Sequence, residues 1–173
     1  EIVKSLRIFS RVDEDTLKFA DINEGIASTM VILNSLINST IEVEKKYGDL
    51  PMVECHAGKL NQVFLNIITN ALYAINKKFG DSSGGKLWLE TGLAEDRSAI
   101  FVKIADNGIG IPTNIRERIF EPFFTTKDVG EGTGLGMSIA YNTIAKHHGK
   151  IIVESEVGEG TAFMLHIPIQ QKN

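Results

Sequence analysis

The sequence predicts a layered α/β chain that mixes strands and helices, and three observations carry that expectation. A long segment from about Gly58 to Lys78 repeats apolar residues at helical spacing. Two segments, KLWLETGLA and SAIFVKIAD, alternate like half-buried strands around a charged turn at EDR. The tail, GKIIVESEVGEGTAFMLHIPI, reads as two more strand-like runs joined into a hairpin by VGEG.

Residues 1 to about 19 read as the end of a helix, since Ile2, Leu6, Phe9 and Val12 recur at helical spacing before RVDEDTL breaks the pattern. So short a piece cannot fold alone and is expected to be the stump of an upstream element. Asp21 or Asn23 then suits the cap of a helix running to about Leu36. TIEVEKKYG alternates like a strand, and PMVEC suits a short second one. In the long helix Leu60, Val63, Phe64, Ile67, Ala71 and Ile75 form one apolar stripe. Asn66, Asn70 and Tyr73 share the face beside it. Asparagine is a mediocre helix former, so this face is either merely solvated or holds a ligand. There is no internal repeat and no low-complexity tract.

Composition narrows the classes. The chain has 173 residues, 43% hydrophobic and 23% charged, which suits one domain with a real core. A net charge of −4 gives no global positive field toward nucleic acid or anionic membrane. The single cysteine, Cys55, excludes an internal disulfide framework and fits a reducing compartment. No apolar run approaches the roughly 18 residues of a membrane span, and the start EIVKSLRIFSRVDED is too charged for a signal peptide. A chain opening on Glu is expected to be a fragment, here a cytoplasmic domain cut from a longer protein whose parent could be membrane-anchored.

Two further stretches suit chemistry. In IFVKIADNGIGIP a strand runs into Asp106, NGIGI turns the chain, and Pro112 suits the first turn of a short helix over TNIRERIF. Asn-Gly is also a common turn dipeptide, so a plain turn is the simpler alternative. A carboxylate only accepts hydrogen bonds, so Asp106 suits the exocyclic amine of adenine and repels the carbonyl of guanine. GEGTGLGMSIAYNTIAKHHGK packs four glycines into seven residues, Gly130, Gly132, Gly134 and Gly136, ahead of a helix striped by Met137, Ala140, Tyr141, Ile144 and His148. Bare N–H groups at a helix start suit a polyphosphate, whereas a flexible surface loop needs none. The stretch matches neither the P-loop nor the dinucleotide fingerprint.

Together, in this order, these segments resemble the nucleotide-binding domain of sensor histidine kinases, in the superfamily shared with type II topoisomerases and the ninety-kilodalton heat-shock chaperones. NQVFLNIITNALYAI is similar to that family's N box, DNGIGI to its first glycine box, and FEPFFTTK to its F box. GTGLGMSIA is similar to the second glycine box, and GEGTAFMLHIP to the closing strand. The likeness covers about residues 20 to 169. It implies the Bergerat ATP-binding fold: an α/β, or α+β, two-layer sandwich with a mixed sheet of about five strands covered on one face by three helices. Residues 1–19 would end the dimerisation and phosphoacceptor helix, and 20–173 would be the catalytic domain.

The resemblance implies ATP and Mg2+ as ligands. Asn70 matches the family's magnesium-binding asparagine, whose amide oxygen is a hard ligand for a hard ion. Asn66 sits where the topoisomerase and chaperone relatives carry a water-activating glutamate, which argues for phosphoryl transfer to a protein over hydrolysis. Asp106 would read the adenine amine, Gly108, Gly110 and Ile111 would shape its pocket, and Thr161 would support it from the last strand. Gly132, Thr133, Gly134, Leu135 and Gly136 would cradle the phosphates. Phe123, Phe124 and Lys127 would lie in a mobile lid, with the aromatics docking on partner helices and Lys127 meeting phosphate. Asn66, Asn70 and Lys127 are thus the catalytic candidates.

There are departures from the family pattern. Tyr73, also expected to face the nucleotide, stands where many relatives place a basic residue, which leaves open what steadies the phosphates from this helix. The acceptor histidine of the family lies on an upstream helix. His56, His147, His148 and His166 lack that setting and are expected to be structural or solvated. The expected partners are a dimerisation and phosphoacceptor domain and a response regulator, with no nucleic acid and no direct membrane contact. An ATPase clamp, an anti-sigma-type serine kinase and a nucleotide-free interaction domain are the rival readings.

Overall fold

The computed structural model describes residues 16–125 and 134–171. In chain order the elements are β1 (Lys18–Ala20), α1 (Ile22–Leu33), β2 (Glu42–Tyr47), β3 (Val53–Cys55), α2 (Ala57–Phe79), β4 (Lys86–Leu93) and β5 (Ala99–Asp106). They are followed by α3 (Gly136–Lys146), β6 (Lys150–Glu156) and β7 (Gly160–Pro168). Short 3-10 segments cover Asn34–Leu36 and Thr113–Phe120.

Five strands form one mixed sheet in the order β2-β4-β5-β7-β6, with β2 parallel to β4 and every other pair antiparallel. The inward residues Leu87, Leu89, Ile100, Val102, Ile104, Leu165 and Ile167 are buried under the helices. The stripe foreseen on α2, from Leu60 to Ile75, is buried in the same core. Each such large aliphatic side chain stabilises the fold by about 1.5–3 kcal/mol. This is the two-layer sandwich that the sequence implies, with three α-helices among the described residues.

Several boundaries differ from the sequence reading. Residues 1–15, the main part of the expected helix stump, lie outside the described residues, but Lys18–Ala20 forms a strand rather than a helix end. It pairs antiparallel with β3, a contact between distant segments that local periodicity does not register. Asp21 is the cap of α1, its carboxylate accepting the Glu24 N–H at 3.2 Å. Asn23 instead cross-links elements, donating to the Gly48 carbonyl and accepting from the Thr91 hydroxyl. The α-helix stops at Leu33, where Asn34 and Ser35 favour a tighter turn over its continuation to Leu36.

The segment after Pro112 winds as 3-10 helix, with Pro112 just outside it. The stripe on α3 is rotated from the expected one. Met137, Ala140, Ile144 and, just past the helix, His147 are buried, whereas Tyr141 and His148 face outward. Cys55 is fully buried, and burial pushes its thiol up to about 11, so it behaves as a small apolar side chain.

Candidate functional site

Packing of α2 on the sheet decides where its polar face points. With the apolar stripe inward, Asn66, Asn70 and Tyr73 all border a cleft of about 720 Å³ between α2, the end of β5 and the start of α3. Asn66 is held on both sides of its amide: Oδ1 accepts from Gln62 Nε2 at 3.2 Å, and Nδ2 donates to the Gly136 carbonyl at 3.1 Å.

Asp106 ends β5 on the covered face, in register with Thr161 of β7, which is itself in register with Ser155 of β6. One row deeper the same strands carry Ile104, Phe163 and Val153, and of these Phe163 lines the cleft. Asp106 is 7% exposed, and its Oδ1 accepts the Gly108 N–H at 2.8 Å. Burial raises its carboxyl to about 6, against the lowering pull of the Gly108 and Thr161 amides and of the Lys78 charge. At neutral pH it remains an anion that only accepts hydrogen bonds.

The glycines serve different purposes. A Cβ at Gly108 would lie 2.4 Å from the Ala74 backbone, so this residue packs the turn against α2 rather than lining the cleft. Gly134 has φ +73° and meets the Phe123 backbone, whose N–H donates to the Gly134 carbonyl at 2.8 Å. Gly110, Ile111, Gly134, Gly136 and Thr161 line the cleft. Leu135 does not, and stands instead as the residue before α3, where its own apolar side chain makes no cap hydrogen bond. Lys127, Gly132 and Thr133 lie outside the described residues. Phe124 faces the cleft under the Arg118 guanidinium, while Phe123 is 75% exposed.

Sequence reasoning missed Lys77, which lines the cleft with its Nζ 5.4 Å from the Tyr73 ring centre. It stands two helical turns past Asn70, so the spacing that selected Asn66 and Asn70 also reaches it. It missed Ser155 as well, which shows only through the hairpin register.

The four histidines all lie away from the cleft. His147 is 1% exposed, its Nδ1 bonded to the Thr143 carbonyl at 2.7 Å and its Nε2 accepting the His56 backbone N–H at 3.1 Å. Burial lowers its pKa, so it is a neutral structural clamp between α2 and α3.

Among the described residues no group of three His, Cys, Asp or Glu side chains is placed to hold a metal ion. The donor chemistry of the cleft still fits Mg2+ carried by a polyphosphate. Asn66 and Asn70 both place hard amide oxygens on the face of α2 that borders the cleft.

Known proteins resemble this chain in sequence and in fold. Residues 55–171 match the model of the family described as histidine kinase-, DNA gyrase B-, and HSP90-like ATPase. The chain is 35% identical over 182 aligned residues to sensor kinase CckA of Brucella abortus, covering 96% of this chain and 18% of that protein. It is 34% identical to sporulation kinase E of Bacillus subtilis, covering 87% of this chain and 19% of that protein. The chain thus spans about a fifth of the length of these relatives. The catalytic domain of histidine kinase ThkA superposes with a TM-score of 0.74 at 28% identity, over 90% of this chain and 97% of that one. Full-length ShkA in complex with AMPPNP superposes with a TM-score of 0.76 at 25% identity, over 99% of this chain and 36% of that one. The chain belongs to the family of histidine kinase-, DNA gyrase B- and HSP90-like ATPase domains.

Proposed function

We propose that this chain is the ATP-binding catalytic domain of a sensor histidine kinase and transfers the γ-phosphoryl group of Mg-ATP to a histidine on a separate dimerisation domain. The observation that carries the reading is the convergence on one cleft of a buried acceptor, Asp106, with Asn66, Asn70 and the open start of α3. Asp106 takes the adenine amine, the apolar floor around Phe163 and Ile111 holds the base, and the amides entering α3 face the phosphates. Magnesium, when bound, neutralises phosphate charge, and Asn70 is the residue that would hold it from the protein side.

Transfer to a protein is favoured over hydrolysis because the Asn66 amide cannot take a proton, and both of its ends are already engaged. Catalysis then rests on positioning and charge neutralisation, and the nucleophile comes from outside the cleft. Lys127, Gly132 and Thr133 would complete the phosphate side, and Lys77 adds a cation near Tyr73 where relatives carry a basic residue. In the parent protein the partners are the dimerisation domain and a response regulator, and the domain works in the cytoplasm without touching membrane or nucleic acid. No helix among the described residues is long and apolar enough to cross a membrane.

The test is transfer in trans. Alone, the chain binds Mg-ATP, hydrolyses it very slowly and acquires no acid-labile phosphate. A separate hairpin domain carrying the parent's acceptor histidine becomes labelled, at a rate that rises with its concentration because proximity has been lost. Fast multiple-turnover hydrolysis, or label on His56, His147, His148 or His166, overturns the proposal.

A further inference from the structure

We propose that Ser155 is a positioning residue of the base site: it fixes the Thr161 hydroxyl as an acceptor, so that Asp106 and Thr161 together select a purine bearing an amine at position 6. The inference deepens the ATP-binding reading and rests on it.

Three partners converge on Ser155 Oγ. The Ile111 N–H lies at 2.7 Å, the Gly160 carbonyl at 2.9 Å and the Thr161 hydroxyl at 2.7 Å. Ser155 has one proton and two lone pairs. Ile111 can only donate and Gly160 can only accept. If Ser155 gave its proton to Thr161, its oxygen would face the Gly160 carbonyl oxygen at 2.9 Å with no proton between them. Only one arrangement leaves every contact a hydrogen bond. Ser155 donates to Gly160, and Thr161 donates to Ser155. The valence of Ser155 is then full, and the Thr161 proton is turned away from the cleft.

What Thr161 shows the cleft is therefore lone pairs. It is 5% exposed and in register with Asp106, whose carboxylate is also acceptor-only. An exocyclic amine has two protons and can satisfy both neighbours, directly or through one water. A carbonyl at that position meets lone pairs on both sides, and buried acceptors left unmatched discriminate strongly. Ser155 is itself held in place, because Arg116 donates to its backbone carbonyl and β6 pairs with β7 through it. It also ties the turn at Ile111, on the cleft wall, to the hairpin that carries Thr161.

The test is base selectivity measured by calorimetry with the magnesium complexes of ATP and ITP, which differ at position 6 without the extra amine of guanine. The parent chain is expected to favour ATP. Ser155→Ala frees the Thr161 proton to turn inward, where it donates to a carbonyl and opposes an amine. We expect the ATP-to-ITP affinity ratio to fall by about tenfold, and Ser155→Thr, which keeps the hydroxyl, to restore it. A purely structural role lowers both affinities together and leaves the ratio unchanged, which overturns the inference. Should Ser155→Ala fold poorly, Thr161→Val removes the same hydroxyl and is expected to lower the ratio, whereas an unchanged ratio again overturns it. A parent chain that binds neither nucleotide would instead sink the ATP-binding reading beneath it.

Discussion

The Asn66 side chain donates a hydrogen bond to the Gly136 carbonyl at 3.1 Å, joining positions 70 residues apart and tying the middle of α2 to the first residue of α3. This contact braces the entrance of α3 against the middle of α2. Asn66→Ala removes that brace without adding bulk. It should cost about 1 kcal/mol of stability, the usual worth of a neutral hydrogen bond, and should lower phosphotransfer to an added hairpin domain. Chemical denaturation and transfer rates check the two effects, and a variant as stable and as active as the parent would contradict the assignment.

Asp106→Asn should weaken ATP binding by about 1.5–3 kcal/mol, the range for losing a hydrogen bond to a charged acceptor. Its pH behaviour is equally specific, because burial raises the Asp106 carboxyl to about 6. ATP affinity of the parent should fall as pH drops through about 6 and the acceptor becomes protonated. Asp106→Asn binds the same nucleotide and should lack that component, which separates it from titration of the phosphates. Stability moves the other way. A raised pKa means that the folded protein holds this proton more tightly than the unfolded chain does. The contribution of Asp106 to stability is therefore fully present below its ordinary value of 3.8 and is lost as pH rises through about 6. Calorimetric titration and melting across pH 4–8, parent against variant, check both signs.

How much of this could be read in the chain depended on whether each signal was local. The α2 stripe and Asp106 were readable because a helix or strand repeats its own periodicity, and an acid ending an apolar strand stands out. The strand Lys18–Ala20 was not, since three residues show no alternation and its partner β3 lies more than thirty residues away. The α3 stripe was found at Met137, Ala140 and Ile144 but misjudged at its edges. The helix turns His147 into the core and leaves His148 outside, a difference of one residue that periodicity resolves poorly. Ser155 needed the hairpin register. Only a turn pairing Glu156 with Gly160 sets it opposite Thr161. Gly108 was expected to shape the pocket but packs its turn against Ala74 instead, a tertiary contact that the local sequence does not register.

Asn70→Ala should separate metal from nucleotide. Asn70 borders the cleft one turn from Asn66, and among the described residues no carboxylate cluster offers an alternative metal site. The variant should lose at least about tenfold, or 1.4 kcal/mol, in ATP affinity with magnesium present. Binding in excess chelator should be little changed. Equal losses under both conditions would show that Asn70 packs α2 and does not serve the ion.

The start of α3 offers a test of where the phosphates lie, independent of the base. An α-helix leaves its first four N–H groups without intrahelical acceptors. Here the preceding residue, Leu135, makes no side-chain cap, and Gly136 and Met137 border the cleft. If the triphosphate binds there, its oxygens become the missing acceptors, and the helix dipole favours the charge. Amide exchange over residues 136–138 should therefore slow when a nonhydrolysable ATP analogue is added with magnesium. Adenosine fills the base site but brings no anion. It should protect Gly108 and its neighbours at the Asp106 end and leave residues 136–138 unchanged. The Asn66 brace adds a second expectation. With Asn66→Ala, the same amides should exchange faster in the empty protein, because the Gly136 carbonyl has lost its cross-link to α2. Protection of residues 136–138 by adenosine alone would mean that the helix responds to filling of the base site, and the phosphates would have to be placed elsewhere in the cleft.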